Sequence, residues 1–379
     1  MRIGFDLRPS LMKNSRRRGI GKYTSNLIRA LLQLNREHEY VLYSLSKGSP
    51  RLPGRARQVS LPSLRRPSRL NWLLDLLVLP PALRAGKIEI FHATQITSIP
   101  KPSSFQVWAH VHDLIPLIFW EHTSKALPRD YRHGLNRAFK RIAGASRIIT
   151  DSAHSKEDIC RRLEVPEGVV EVVYPDCGEG FRPLDKGECQ SRLKAEYGIS
   201  DSFLFYVGGS DFRKNLTQLI AAFARIRRGG YGGKLVLAGE TFLWQVEEVK
   251  SLRRKVGELG LDPWVVFPGY VPDRDLPLFY SACDLFVFPS LYEGFGLPVL
   301  EALRCGAPVL ASRCSSIPEV AGKAAEYFDP EDEESLVAGF ERVYGKPQAV
   351  ARMRAEGFRQ CRLFSWEQAA KQIHHLYGG

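Results

Sequence analysis

The stretch from Leu285 to Leu303 constrains the fold more than any other part of the chain. Leu285-Phe286-Val287-Phe288 is an uninterrupted apolar run, which a strand needs when helices cover both faces of a parallel sheet. Gly294 and Gly296 then let the backbone turn and approach a ligand closely, and Pro298 suits the first turn of a helix with Val299, Leu300, Ala302 and Leu303 on it. Glu293 stands before the turn and Glu301 about one helical turn inside. A helix start offers free N–H groups and a positive dipole end, so sugar hydroxyls or a phosphate are natural guests. Two carboxylates flanking it suit an extended ligand such as a nucleotide sugar, although the string alone also describes a strand-turn-helix with two solvated glutamates.

Strand-like and helix-like runs alternate almost from end to end. Ile3 to Asp6, Tyr40 to Tyr43, Ile88 to His92, Gln106 to His110, Arg147 to Thr150 and Val169 to Val173 read as strands. Ile20, Tyr23, Leu27, Leu31 and Leu34 recur at helical steps of three and four. The pattern predicts parallel sheets covered by helices, with ligands at the carboxyl ends of the strands. At 379 residues the chain exceeds one ordinary domain. After Tyr174 to Pro183 the strand pattern stops and polarity rises, which predicts a linker near 177–198 and domains over 1–180 and 181–362. Residues 363–379, opening on Phe364-Ser365-Trp366, form a terminal helix.

Charge is uneven. Residues 1–150 carry 26 Lys/Arg against 8 Asp/Glu, and the remainder 28 against 33, so a basic body precedes a mildly acidic one. An anionic partner for the first domain follows: a membrane surface or a lipid diphosphate, and not nucleic acid, since no recognition module or aromatic stacking pattern accompanies the arginines. Within 51–87, Arg51, Arg55, Arg57, Arg65, Arg66 and Arg69 stand beside the apolar stretch Leu70 to Leu79, the composition of a membrane-interface segment or of a core helix after a polar loop. Met1 to Asp6 reads as a strand, not a signal peptide, and Leu70 to Leu83 is too short and too interrupted to span a bilayer. Seven cysteines without a C-x-x-C pair suggest neither zinc nor a disulfide framework, and fit a reducing cytoplasm, with the protein soluble or peripheral on the inner membrane face.

Three more stretches carry chemistry. Asn14 to Tyr23, with Arg16, Arg17, Arg18, Gly19 and Gly21, is a basic glycine loop opening a helix, which is an anion site or a solvated loop. Phe203 to Val207, then Gly208-Gly209-Ser210-Asp211-Phe212-Arg213-Lys214, then a helix with Leu216, Leu219, Ile220, Phe223 and Ile226 inward, is a second phosphate cradle. Trp108 to Val111 is an apolar strand ending in His112-Asp113, where a histidine is either a ligand group or a satisfied core residue. Thr150-Asp151-Ser152 with Ser155 reads as a helix cap of structural purpose.

The string around Glu293 and Glu301 resembles the signature of the retaining, nucleotide-sugar-dependent glycosyltransferases of the B-type fold, and the likeness continues over nearly all of the chain. The resemblance implies two Rossmann-like, doubly wound parallel-sheet α/β domains facing a central cleft, with the terminal helix returning to the first. It implies that Glu293 contacts the donor sugar, that Glu301 binds the ribose, and that Gly294, Phe295, Gly296 and Leu297 hold sugar and phosphate. Gly21 and Gly208 would face the donor phosphates, and Tyr270, in Val265 to Val271, lies in the segment whose backbone reads the base. Lys214 matches the family's cation, but Gly209 stands where an Arg is usual, leaving Arg213 to supply that charge.

His112-Asp113-Leu114, Phe5 to Pro9 and Gly19 to Gly21 resemble bacterial mannosyltransferases. His112 is thus expected at the reaction centre, with Asp113 orienting it or the acceptor. The implied donor is GDP-mannose, with a UDP-sugar as the alternative, and the acceptor a glycan or polyprenyl-diphosphate-linked sugar. The acceptor proton would pass to the departing phosphate oxygen. No Asp-x-Asp and no His/Asp cluster is evident in the sequence, so no metal or other cofactor is expected. A UDP-sugar 2-epimerase of the same architecture and a non-catalytic polyanion- or lipid-binding scaffold are the competing classes.

Overall fold

The structure is a computed structural model that describes residues 1–11, 19–34, 37–45, 56–62, 77–96, 99–101, 103–120, 129–200, 202–243 and 246–378. It divides into two compact units, Met1–Pro175 with Phe364–Gly379, and Asp176–Leu363.

The first unit holds a seven-stranded sheet of β1 (Arg2–Asp6), β2 (Glu39–Leu45), β3 (Ala56–Leu61), β4 (Ile90–Ala93), β5 (Gln106–His110), β6 (Arg147–Thr150) and β7 (Val170–Val172). Its order is β3-β2-β1-β4-β5-β6-β7, every neighbour parallel. The chain moves outward from β1 in one direction and then returns to build from β4 in the other, which opens a crevice at the carboxyl ends of β1 and β4. One face carries the helix Gly19–Leu34, with Tyr23, Leu27, Ile28 and Leu31 buried as the three-and-four spacing requires. The C-terminal helix Trp366–Gly378 belongs to the same core, burying Ala369, Ala370, Ile373 and Tyr377 beside them.

β3 corrects the sequence reading of 51–87. Ala56–Leu61 is a strand, with Arg57, Gln58 and Ser60 exposed and Leu61 buried at the sheet edge. Its period-two signal is only Val59-Ser60-Leu61, too short to stand out among arginines. Pro80 and Pro81 start a helix, Leu79–Ala85, that buries Leu79 and Leu83 in the core. The loop residues Asn14 to Arg18, the residues Arg51, Arg55, Arg65, Arg66 and Arg69, and the run Leu70 to Leu76 lie outside the described residues. Among the described residues no helix is long and apolar enough to cross a membrane.

The second unit holds a six-stranded parallel sheet of β8 (Phe203–Val207), β9 (Lys234–Ala238), β10 (Val265–Gly269), β11 (Leu285–Phe288), β12 (Val309–Ser312) and β13 (Ala325–Phe328). The order β10-β9-β8-β11-β12-β13 places its switch point between β8 and β11. Phe205, Phe286 and Phe288 are wholly buried there, each contributing about 1.5–3 kcal/mol of hydrophobic stabilisation. The interval expected to be a linker contains the helix Lys186–Tyr197, capped by Asp185 accepting from the Glu188 amide at 2.8 Å and closed by Gly198 at φ 68°. Only Cys189 and Leu193 of that helix are buried, so its apolar stripe is too thin to stand out in the sequence.

Candidate active site

The second unit builds its site from the two loops that leave β8 and β11 at the switch point. They are joined by the Leu291 amide donating to the Arg213 carbonyl at 2.7 Å. Lys214 Nζ lies 2.5 Å from Glu293 Oε1, with the two side chains 14% and 12% exposed. Ser290 Oγ donates to the same carboxylate oxygen at 2.6 Å, and the Lys214 ammonium stands 5.7 Å from the centre of the Phe288 ring. Glu293 is thus held by a cation and a hydroxyl at the mouth of the crevice.

The turn that follows is pinned from behind by residues after β12. Ser316 Oγ lies 3.0 Å from the Glu293 carbonyl and 2.9 Å from the Phe295 carbonyl, while the Glu293 amide donates to Ser315 Oγ at 2.9 Å. Gly296 at φ 101° occupies a conformation that a side chain disfavours, and it leads into the helix Leu297–Arg304, which has no side-chain cap. Pro298 carries no N–H and the Val299 amide donates to the Gly296 carbonyl at 2.9 Å, so an anion site at this helix start would rest on the Leu297 amide. Glu301, in the second turn of this helix, is buried and accepts from the Tyr280 hydroxyl at 2.8 Å.

The adjoining strand ends are tied in sequence along the carboxyl edge of the sheet. The Gly208 amide donates to the Ala238 carbonyl at 3.0 Å and the Gly239 amide to the Gly269 carbonyl at 2.8 Å, next to half-buried Tyr270. A Cβ on Gly239 would meet the Gly208 carbonyl oxygen at 2.0 Å, so only glycine permits this approach. Arg213 Nε lies 2.9 Å from Asp211 Oδ1, an ion pair within its own loop, and the cation that faces Glu293 is Lys214.

In the first unit the switch point holds a buried pair. Arg8 donates through Nε and Nη2 to the two oxygens of Asp6 at 2.8 and 3.0 Å, and Thr94 Oγ1 donates to the Asp6 carbonyl at 2.7 Å. One strand over, Asp151 receives two imidazoles: His110 Nε2 at 2.8 Å on Oδ1 and His112 Nδ1 at 2.6 Å on Oδ2. Tyr23 packs over both rings, with centroids 4.4 and 4.8 Å away, which brings the start of the Gly19–Leu34 helix, Gly21 included, toward them.

Burial pushes His110 down to about 4 despite Asp151, so it is neutral and donates Nε2–H. Burial also acts to lower His112, but the Asp151 charge and hydrogen bond, with help from Asp113 and the Thr94 carbonyl, outweigh it and raise the ring above its ordinary value. Burial opposes ionisation of Asp151, yet the imidazoles hold it down to about 2.

Asp113 Oδ1 accepts from the Ile115 amide at 2.9 Å, and the carboxylate hydrogen-bonded to His112 is Asp151, a residue the sequence offered only as part of a cap. Ser152 does cap the next helix, accepting from the Ser155 amide at 3.0 Å, so Asp151 and Ser152 divide two tasks. The three side chains His110, His112 and Asp151 also bring ligand-type atoms within 4.8 Å of one another, a His/Asp cluster that the linear sequence conceals. Both short contacts there join a ring nitrogen to a carboxylate oxygen.

The sequence model of the group 1 glycosyl transferases matches residues 191–360, and that of glycosyltransferase family 4 matches residues 17–175. The chain belongs to the glycosyltransferases of the B-type fold. It is 29% identical over 95% of its length to O-antigen chain mannosyltransferase B of Escherichia coli, and covers 95% of that protein. Among solved structures of the same fold, sucrose-phosphate synthase from Thermosynechococcus elongatus superposes over 100% of this chain and 98% of its own at a TM-score of 0.75 and 22% identity. HepE from Anabaena, in complex with UDP and glucose, superposes over 100% of both chains at 0.74 and 18%. The glycine turn and its flanking glutamates lie within the group 1 match, and the His112–Asp151 pair within the family 4 match.

Proposed function

We propose that this glycosyltransferase moves mannose from GDP-mannose, with retention at the anomeric carbon, onto a glycan or polyprenyl-diphosphate-linked acceptor of a bacterial surface polysaccharide. The observation that carries a nucleotide-sugar donor is the Lys214–Glu293 pair set against the uncapped helix at Leu297, at the switch point of one sheet. In this reading Glu293 and the amides from Gly294 to Leu297 bind sugar and phosphate, and Glu301 takes the ribose hydroxyls. Lys214 meets charge developing on the leaving diphosphate. His112 serves the reaction centre, and the acceptor proton passes to the departing phosphate oxygen. The mannose assignment is supported by His112-Asp113-Leu114 and by the name of the E. coli relative.

The cation and helix amides take the place of a metal here, and the basic first 150 residues suit an acceptor carrying a lipid diphosphate, met at the inner membrane face. A panel of nucleotide sugars, scored by release of free nucleotide with and without lipid-linked acceptor and with chelator, tests the proposal. GDP-mannose should turn over, acceptor should stimulate it, and chelator should leave it unchanged. Turnover of UDP-glucose with GDP-mannose untouched would remove the donor assignment, and isomerised nucleotide sugar without acceptor would make the protein an epimerase.

A further inference from the structure

We propose that Tyr280 is the positioning residue for Glu301: its hydroxyl donates to one carboxylate oxygen and sets the plane in which the carboxylate accepts the hydroxyls of the nucleotide's ribose. The inference rests on the reading of Glu301 as the ribose-binding group, and every residue in it belongs to the second unit, Asp176–Leu363. The helix Leu276–Ala282, opened by Pro277, has no solvent face, because all seven of its residues are buried. A tyrosine in such a helix needs a partner for its hydroxyl, since an unpaired buried O–H is costly. Tyr280 is wholly buried and has that partner in Glu301 Oε2, 2.8 Å away.

The ring is held where the second sheet reverses. Its centroid lies 5.3 Å from that of Phe205 on β8 and 5.2 Å from that of Phe286 on β11, both nearly edge-on, and those two residues are register partners across the paired strands. Phe181 closes a further side at 6.2 Å. The hydroxyl is therefore fixed by the same two strands whose loops carry Lys214 and Glu293. Glu301 stands on the helix that leaves the glycine turn, and its carboxylate has three side-chain torsions to settle. The bond from Tyr280 ties that group to a rigid ring. An ionised carboxylate accepts at about four lone-pair sites, so one phenol does not by itself exhaust it, and Glu301 keeps 8% of its surface exposed for a ligand to reach. Burial, then the Glu301 charge and the hydrogen bond to it, push the Tyr280 phenol well above its ordinary value, so the group stays a donor.

Tyr280→Phe keeps the ring and removes the donor. GDP and 2′-deoxy-GDP are titrated calorimetrically against wild type and variant, with UDP and 2′-deoxy-UDP in parallel so that the result does not hang on the base. Wild type should prefer the ribose form about 10-fold, the scale of one hydrogen bond to a charged group, and the variant about 3-fold or less. Both forms meet the same preparation, so a misfolded fraction lowers the number of sites and leaves the ratio alone. A residue that only supported the fold would weaken the two forms equally. A wild-type ratio near one removes Glu301 from the ribose, and the inference falls with that reading. A wild-type preference of about 10-fold that is kept or enlarged in Tyr280→Phe refutes the positioning role alone. The wild-type protein supplies a readout that needs no variant: hydrogen exchange of a peptide spanning Leu276–Ala282 should slow more with saturating GDP than with saturating 2′,3′-dideoxy-GDP, and equal slowing overturns the inference.

Discussion

Replacing Glu293 by Gln and Lys214 by Met, singly and together, measures whether the pair at the β8/β11 switch point is one unit. Its 2.5 Å separation and side-chain exposures of 12% and 14% set it between two limits. Exposed pairs couple by about 0.2–1 kcal/mol, while breaking a fully buried pair costs about 3–5 kcal/mol. A coupling of about 1–2 kcal/mol is expected here. Glu293→Gln keeps the volume and leaves an acceptor for Ser290 Oγ, so it loses only the charged share of those hydrogen bonds, about 1 kcal/mol. Lys214→Met leaves an ionised carboxylate with one hydroxyl partner and should cost more, about 2 kcal/mol.

Because the chain has two units, a single melting curve does not isolate this site. Urea-dependent hydrogen exchange followed on peptides spanning 203–215 and 285–297 does. In the same variants, loss of the Lys214 charge should reduce kcat by about 10²–10³-fold, the scale on which a single transition-state donor acts. A coupling below about 0.3 kcal/mol with near-normal turnover would show that the two side chains do not act together, and the nucleotide-sugar site would lose its main support.

Two further outcomes follow from the packing. Gly239→Ala puts a Cβ 2.0 Å from the Gly208 carbonyl oxygen, so the β8 loop must move; protection of that loop in hydrogen exchange should fall by about 1–3 kcal/mol and nucleotide affinity with it, and unchanged protection would refute the close approach. Acidification should weaken the first unit: His110 is held neutral with its pKa lowered to about 4, so the unfolded chain binds more protons, and stability present above pH ~6.5 declines toward pH ~4 by up to about 3 kcal/mol. His112, whose pKa is raised, works in the opposite sense, adding stability that is full below its unfolded value and lost as pH rises through its folded value. His92, whose pKa burial also lowers, adds to the acid limb in the same sense as His110; exchange in β4, β5 and β6 across this range tests the sum, and His110→Gln should reduce the acid limb without abolishing it.

The second unit was legible in the sequence because its site is made of backbone. Glycines at 294 and 296, a proline at 298 and the apolar run before them are visible as letters, and the inward positions of the helix Leu216–Arg228 follow their period. What supports that site was not legible: Ser315 and Ser316 reach the turn only because β12 lies beside β11. Asp151 was hidden for the same reason, although one signal was available. β5 and β6 pair in parallel with His110 opposite Ile149, and extending that register two residues sets His112 opposite Asp151. A strand order, inferred before residue roles, would have exposed the contact.

Both sheets reverse their direction of growth between the first and fourth strands, so each unit opens a crevice in the same place, yet they fill it by different means. At β8 and β11 the polar groups are amides at a helix start, fixed by serines from behind, with one ammonium and one carboxylate to set orientation. At β1, β4 and β5 they are side chains: the Asp6–Arg8 pair, Thr94, and the imidazoles on Asp151. Backbone donors hold charge that a ligand brings, because they neither titrate nor reorient. Imidazole and carboxylate can change protonation state, so pH-dependent behaviour should trace to the first unit and nucleotide affinity to the second. Variants at Asp151 that alter the pH profile without altering nucleotide binding, beside variants at Lys214 that do the reverse, are the pattern this division requires.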